Sequence, residues 1–149
     1  MSVTRPFNFK KWIDENRHLL KPPVNNKVVY KDAEFIVMVV GGPNSRKDYH
    51  YNESEEFFYQ LEGDIKVIIQ EDGKAVEVDI KEGDIFLLPP KIPHNPIRFK
   101  NTIGLVMEKL LEIERQYHLK RTFPRVIWSY IFHKTTLIHP FLHLVVVFP

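Results

Sequence analysis

The pattern of apolar and polar residues divides the chain into one helical segment followed by a series of short strands. Apolar residues recur through residues 9–20 behind Asn8, so the sequence predicts a short amphipathic helix with Asn8 as its N-cap. Pro22 and Pro23 end this helix, because the residue before a proline is driven out of the helical conformation.

Beyond residue 27 the pattern changes to short apolar runs separated by turn residues. The continuous run FIVMVV at 35–40 predicts a strand buried on both faces, whereas AVEVDI at 75–80 alternates with period two. Asp72 and Gly73 precede the second run as a hairpin signal. Further strands are predicted at residues 57–61, 65–69, 85–88 and 103–107. This spacing predicts a mainly β fold, built as an antiparallel sandwich or barrel.

The composition excludes several functional classes. The chain has 149 residues and no Cys, which excludes disulfides, Cys-based zinc sites, iron–sulfur clusters and thiol catalysis, so any metal must be bound by His and carboxylates. A net charge of +2 is too small to indicate a nucleic-acid-binding surface. The charged N-terminus has no signal-peptide core. The apolar-rich residues 126–148 are interrupted by His133, Lys134, His139, Pro140 and His143, so we expect a cytoplasmic protein with no membrane span.

The charge distribution predicts two regions. Residues 1–110 carry 16 basic and 17 acidic side chains, whereas residues 111–149 carry 5 basic and 2 acidic ones. The second region shows neither a helical period nor glycine-marked turns beyond Pro124. We therefore predict one domain at residues 1–109 and a divergent basic and apolar tail at 110–149, which we expect to be poorly ordered.

Two histidines and a pair of acids are the candidates for chemistry. His50 comes just before the adjacent acids Glu55 and Glu56, and His94 lies in a proline-rich turn after an apolar strand. Two imidazoles and one carboxylate form the facial set that non-haem iron oxygenases use. The residues alone leave open a second interpretation, in which both histidines are ordinary turn or surface residues and both acids are solvated.

Longer motifs narrow this choice. Glu56 is followed by Gly63, and Gly83 is followed by Pro89 and then His94. This order resembles the two signatures of the cupin superfamily, although Asn52 stands where the first signature usually has a second His, and Lys91 stands where the second signature usually has a Gly. The runs GGPNSRKDYHYNESEEFFYQLEGD, EGDIFLLPPKIPHNPIRF and TIGLVMEK resemble the 3-hydroxyanthranilate 3,4-dioxygenase family over about residues 5–109.

The resemblance implies a fold and a set of site residues. The fold would be a cupin, a jelly-roll-like antiparallel β-barrel with a short N-terminal helix, and the cofactor would be Fe(II). The metal ligands that it implies are His50, Glu56 and His94. The substrate-binding residues that it implies are Arg46 and Arg98 for the substrate carboxylate, Glu108 as general base beside the amino and hydroxyl groups, and Asn26. Without the resemblance, Arg46 would be a surface residue and Arg98 part of a rim salt bridge.

The implied activity is ring cleavage. Such an enzyme converts 3-hydroxyanthranilate and O2 to 2-amino-3-carboxymuconate semialdehyde, which leads to quinolinate and NAD in the kynurenine pathway. We expect a monomer or a homodimer that binds neither nucleic acid nor membranes. Two alternatives stay open: a catalytically impaired cupin fragment or isoform that binds metal without turnover, and another cupin enzyme acting on small acids. The tail after Lys109 resembles nothing in the family, and we expect it to be the product of an alternative exon, a retained intron or a shifted frame.

Overall fold

Two antiparallel sheets form the fold. A computed structural model describes residues 5–30, 33–44 and 47–109, so the predictions for the tail at 110–149 lie outside the described residues. The larger sheet has the strand order β1-β2-β8-β3-β6 and the smaller one β5-β4-β7. The strands are β1 (Asn26–Tyr30), β2 (Phe35–Gly41), β3 (Glu56–Glu62), β4 (Ile65–Glu71), β5 (Lys74–Ile80), β6 (Ile85–Leu88), β7 (His94–Arg98) and β8 (Ile103–Lys109).

The predicted N-terminal helix is present and covers the outer face of the larger sheet. Helix α1 (Phe9–Asn16) continues into a 3-10 turn, and the Asn8 side chain accepts a hydrogen bond from the Lys11 amide at 2.9 Å, as expected of an N-cap. Ile13 of the helix packs with Val39 and Ile103 of the sheet. This packing explains why the outer face of the sheet is apolar at β2 and β8.

The main core lies between the two sheets. Inward-facing residues alternate along each strand, and their apolar members form one cluster from both sheets. The buried members of this cluster are Phe58, Ile65, Val67, Ile80, Leu88 and Val106. The predicted hairpin joins β4 to β5, with Asp72 and Gly73 both at positive φ (49° and 73°), as a two-residue turn of the hairpin type requires. The apolar core and this turn fix the smaller sheet against the larger one.

The structure differs from the sequence predictions, or refines them, at four points. His94 does not lie in a turn but begins strand β7, which escaped prediction because Pro96 lies in it without an amide donor. Strand β1 also escaped prediction. The run at 35–40 is not buried on both faces: Phe35 is exposed, and full burial is reached only near Val39, where α1 covers the sheet. The described strands form two facing sheets and not a closed barrel, with one isolated bridge between His50 and His94 beside β7.

Of the helices in the described part of the chain, none has the length and apolar content needed to cross a bilayer.

Two isoleucines that begin strands offer a matched test of this core. Ile65 is 1% exposed at the start of β4, and Ile85 is 68% exposed at the start of β6. We expect Ile65→Ala to lower the free energy of unfolding by about 2–4 kcal/mol, because it removes buried methyl groups and leaves a cavity. We expect Ile85→Ala to lower it by about 1 kcal/mol or less. Urea unfolding of the full chain measures both values, and equal losses would contradict the assignment of the core.

Candidate functional site

A glutamate from one sheet and a histidine from the other meet in the interior. Glu56 is the first residue of β3 and His94 is the first residue of β7. The Glu56 Oε2 atom lies 2.8 Å from the His94 Nε2 atom, and the two residues are 6% and 0% exposed. Because β3 and β7 belong to different sheets, this contact spans the space between the sheets.

The tautomer of His94 follows from its other ring nitrogen. His94 Nδ1 lies 3.0 Å from the carbonyl oxygen of Ile92. A carbonyl only accepts hydrogen bonds, so Nδ1 must carry the proton and donate it. In the neutral ring, Nε2 then presents a lone pair to Glu56 Oε2, and it has no aligned hydrogen bond within the described part of the chain. Two acceptor atoms in contact at this distance need a proton or a metal cation between them. The two atoms are therefore suited to be ligands of a metal ion.

The protonation of His94 reflects the same contact. Burial is the largest single influence on the pKa of His94 and lowers it. The Glu56 carboxylate, helped by the Ile92 carbonyl, outweighs burial and raises the pKa of His94 above its ordinary value. The pair thus attracts positive charge into a buried position.

His50 lies beside this pair. Its backbone forms an antiparallel bridge with His94, with an N–H···O bond in each direction at 2.7 and 2.9 Å. The two imidazole rings meet edge to face, with their centroids 5.5 Å apart. Within the described residues, no three His, Asp or Glu side chains are close enough to form a complete metal set as they stand. The structure thus brings together Glu56 and His94, with His50 as the adjacent third donor.

The second acid of the site is linked to the first by an amide. Glu108 on β8 is the direct cross-strand partner of Glu56 on β3. The buried Asn52 donates hydrogen bonds from its Nδ2 to Glu56 Oε2 at 2.8 Å and to Glu108 Oε2 at 2.9 Å. The three side chains form one connected polar cluster.

Arg98 is a buried cation. It is 3% exposed, and its Nη1 has no hydrogen-bond partner among the described residues. Burial lowers the pKa of Arg98 to about 10, and the charge of Glu56 opposes this shift in part, so the guanidinium remains charged at neutral pH. Asn44 fixes the strand here, because its Oδ1 accepts the Arg98 amide at 2.9 Å. The site can therefore offer unused guanidinium donors to an anion.

A glycine on β8 makes room for this arginine. A Cβ atom at Gly104 would lie 2.9 Å from Arg98 Nη1 and 2.7 Å from Gln60 Oε1. Side chains at that position would therefore compete with the guanidinium for space.

The remaining predicted residues are placed differently. Arg46 lies outside the described residues. Asn26 is exposed at the start of the edge strand β1, opposite Val40. Glu55 is exposed, in contrast to its buried neighbour Glu56. The assignment of these side chains to metal and substrate stays a prediction.

Sequence reasoning missed the roles of Asn52, Gln60 and Gly104. Asn52 was visible only as a departure from a signature, and nothing in its identity shows that it bridges two acids. Gly104 carried a weak signal, because a glycine within an apolar strand often marks a close approach. The alternation of apolar and polar residues along β3 places Gln60 on the interior face, but the residues opposite it follow only from the strand register.

Solved structures with a similar fold are cupins. A cupin-2 domain protein from Shewanella frigidimarina aligns with a TM-score of 0.54 and 12% identity, over 66% of this chain and 92% of that one. A hydroquinone 1,2-dioxygenase in complex with Fe3+ aligns with a TM-score of 0.50 and 19% identity, over 67% of this chain and 32% of that one. At these identities the similarity shows the fold alone, which is the predicted cupin fold.

The sequence comparisons are more specific. A 3-hydroxyanthranilate 3,4-dioxygenase from Bacillus thuringiensis (strain Al Hakam) is 58% identical over 111 residues, which are 73% of this chain and 62% of the relative. The chain thus spans about three fifths of the length of the curated relatives that it matches. The family model described as 3-hydroxyanthranilic acid dioxygenase matches residues 1–137, past the predicted domain end at 109, and this boundary stays a prediction. The chain therefore belongs to the 3-hydroxyanthranilic acid dioxygenase family.

Proposed function

We propose that His50, Glu56 and His94 bind a single Fe(II) ion. The observation that carries this proposal is the contact between His94 Nε2 and Glu56 Oε2, two buried acceptor atoms that need a proton or a metal cation between them. His50 supports it, because its ring lies edge-on to His94 at one side of the pair. Two imidazoles and one carboxylate leave further coordination positions open for a substrate.

Iron is favoured over other metals by the ligand set and the relatives. Imidazole with carboxylate suits several divalent metals, but the two-histidine, one-carboxylate set is characteristic of oxygen-using iron enzymes. A fold neighbour that acts on hydroquinone has Fe3+ bound. Bound Fe(II) would supply the redox chemistry that lets O2 react with an aromatic ring.

We infer that Arg98, together with Arg46, binds the substrate carboxylate. Arg98 is buried and charged, and its Nη1 is unused among the described residues, so an anionic ligand would relieve its missing hydrogen bonds. The planar guanidinium suits a carboxylate in a two-bond contact, which fixes the orientation of the ring. Positioning of this kind contributes directly to rate.

We assign the role of general base to Glu108. It lies on β8 directly opposite the proposed ligand Glu56, and Asn52 joins the two carboxylates. A base in this position can accept the proton of a ring hydroxyl whose oxygen approaches the metal site. Glu56 holds the metal while Glu108 moves the proton, so the two acids have separate tasks.

The substrate and product follow from the family. We propose that the chain converts 3-hydroxyanthranilate and O2 to 2-amino-3-carboxymuconate semialdehyde, the precursor of quinolinate in the kynurenine route to NAD. The ring of this substrate carries three polar groups. Its carboxylate matches the arginine donors, its amino group matches the metal site, and its hydroxyl group matches Glu108. We place this reaction in the cytoplasm, in a monomer or homodimer.

Product formation tests this proposal. The full chain is loaded with Fe(II) without oxygen, 3-hydroxyanthranilate is added, and O2 is then admitted. We expect the near-ultraviolet absorption band of the muconate semialdehyde to grow. Glu108→Gln should slow this by roughly 100-fold or more, because the proton acceptor is lost. One bound iron with no product from the unmodified chain would instead support metal binding without turnover.

Arg98 provides a test that separates binding from stability. We expect Arg98→Met to weaken anaerobic binding of 3-hydroxyanthranilate by roughly 10- to 100-fold, through loss of charged hydrogen bonds. The same change should raise the free energy of unfolding by about 1–3 kcal/mol. The sign follows from the lowered pKa of Arg98: the charged form is less favourable in the folded chain, and this cost is present at neutral pH and disappears only at alkaline pH.

Arg17→Met is the matched control for Arg98→Met. Arg17 begins the 3-10 turn after α1 and is partly exposed, and it is paired with Glu62 at 2.7 Å and with Asp14 at 3.0 Å. Its removal should lower the free energy of unfolding by about 1 kcal/mol or less and leave ligand binding unchanged. Isothermal titration and urea unfolding measure the two quantities. A loss of stability in Arg98→Met, or unchanged ligand affinity, would contradict the role assigned to Arg98.

A further inference from the structure

Asn52 is a buried side chain for which neither metal binding nor substrate binding provides a role. It is 9% exposed, and both of its recorded side-chain hydrogen bonds come from Nδ2. One goes to Glu56 at 2.8 Å and the other to Glu108 at 2.9 Å. An amide nitrogen carries two hydrogens, so it can serve both acids at once.

The strand register explains why such a bridge is needed. Glu56 and Glu108 are direct cross-strand partners, so their side chains leave the larger sheet on the same inner face. Like charges directly opposite each other in an antiparallel pair are destabilising. Carboxylates accept hydrogen bonds only, so they cannot bond to each other when both are ionised. A donor between them can bond to both carboxylates and hold them close together.

The backbone of Asn52 is held independently of its side chain. Its carbonyl oxygen accepts a 2.7 Å hydrogen bond from the amide of Lys91. Lys91 adopts a positive φ of 65° in the turn between β6 and β7. This turn therefore anchors the Asn52 backbone, and Nδ2 is presented to the acids from a fixed position.

We propose that Asn52 is a positioning residue that orients both acids of the site, one N–H bond to each. The inference rests on the proposed metal site and function. Toward Glu56, the N–H group directs one carboxylate oxygen to the contact with His94. Toward Glu108, the N–H group holds the carboxylate beside the site, where it can accept a proton from substrate. Partners of metal ligands in other proteins change metal affinity or activity by roughly 10- to 100-fold when removed.

A double-mutant cycle tests the link to Glu108. Turnover is measured for Asn52→Ala, Glu108→Gln and the double variant, each at a concentration of Fe(II) that saturates the protein. If Asn52 acts through Glu108, we expect Asn52→Ala to lower kcat by roughly 10- to 100-fold and the double variant to be no slower than Glu108→Gln alone. Losses that multiply would overturn this part of the proposal. Should Asn52→Ala fail to fold, Asn52→Leu has a similar shape without the donor or an added charge, and the same lack of additivity is expected.

Fe(II) affinity gives a second readout that does not depend on turnover. In anaerobic titrations of the full chain, Asn52→Ala should weaken Fe(II) binding by roughly 10- to 100-fold. Unchanged affinity would overturn the proposed link to Glu56. An unmodified chain that binds Fe(II) but forms no product would count against the dioxygenase function alone, since the affinity comparison still tests Asn52.

Asn16→Ala is the matched control. Asn16 also makes two side-chain hydrogen bonds, to the Trp12 carbonyl at 2.6 Å and from Lys27 Nζ at 2.6 Å, at the end of α1. We expect it to reduce stability without changing Fe(II) affinity, and to combine with Glu108→Gln by simple multiplication of their effects on kcat. Equal effects of Asn16→Ala and Asn52→Ala on Fe(II) affinity would show a general loss of structure and overturn the assignment.

Discussion

The contact between Glu56 and His94 is the constraint on which the rest of the site depends. It joins the larger sheet to the smaller one at a point where both side chains are buried. Removing a carboxylate and an imidazole from water is costly unless each finds a partner. Here the Ile92 carbonyl fixes one side of the imidazole and Asn52 fixes the carboxylate. What remains is a pair of acceptor atoms facing each other, and this is the feature that favours a bound cation.

The interior therefore has an apolar part that stabilises the fold and a polar part that destabilises it. Phe58 and its neighbours fill the space between the sheets, and the Phe58 ring lies edge to face with His94. Arg98 is buried with a donor that no described residue uses, and the absence of a side chain at Gly104 leaves room for it. Proteins often accept such losses at functional sites. The docked helix and the apolar core provide the rigidity that holds the polar groups in place.

Much of the fold could be predicted from the sequence, because it depends on local signals. Asn8 capped the helix and the Asp72-Gly73 turn joined two strands, both as expected. Strand β7 escaped prediction because a proline-rich segment usually forms a turn, whereas here tertiary pairing with β4 determines its conformation. The His94 tautomer and the Asn52 bridge depend on contacts between residues far apart in the chain. The spacing in the sequence could identify Glu56 and His94 as candidate metal ligands, but only the packing of the two sheets brings their atoms together.

The measurement that tests this account most directly is anaerobic Fe(II) binding by the full chain and two histidine variants. His94→Ala removes the buried Nε2, whereas His18→Ala removes an exposed imidazole in the 3-10 turn after α1. The account predicts one Fe(II) per chain for the unmodified protein and for His18→Ala, and an affinity lower by roughly 100-fold or more for His94→Ala. Equal Fe(II) stoichiometry and affinity in all three proteins would contradict the claim that the Glu56–His94 contact is a metal site.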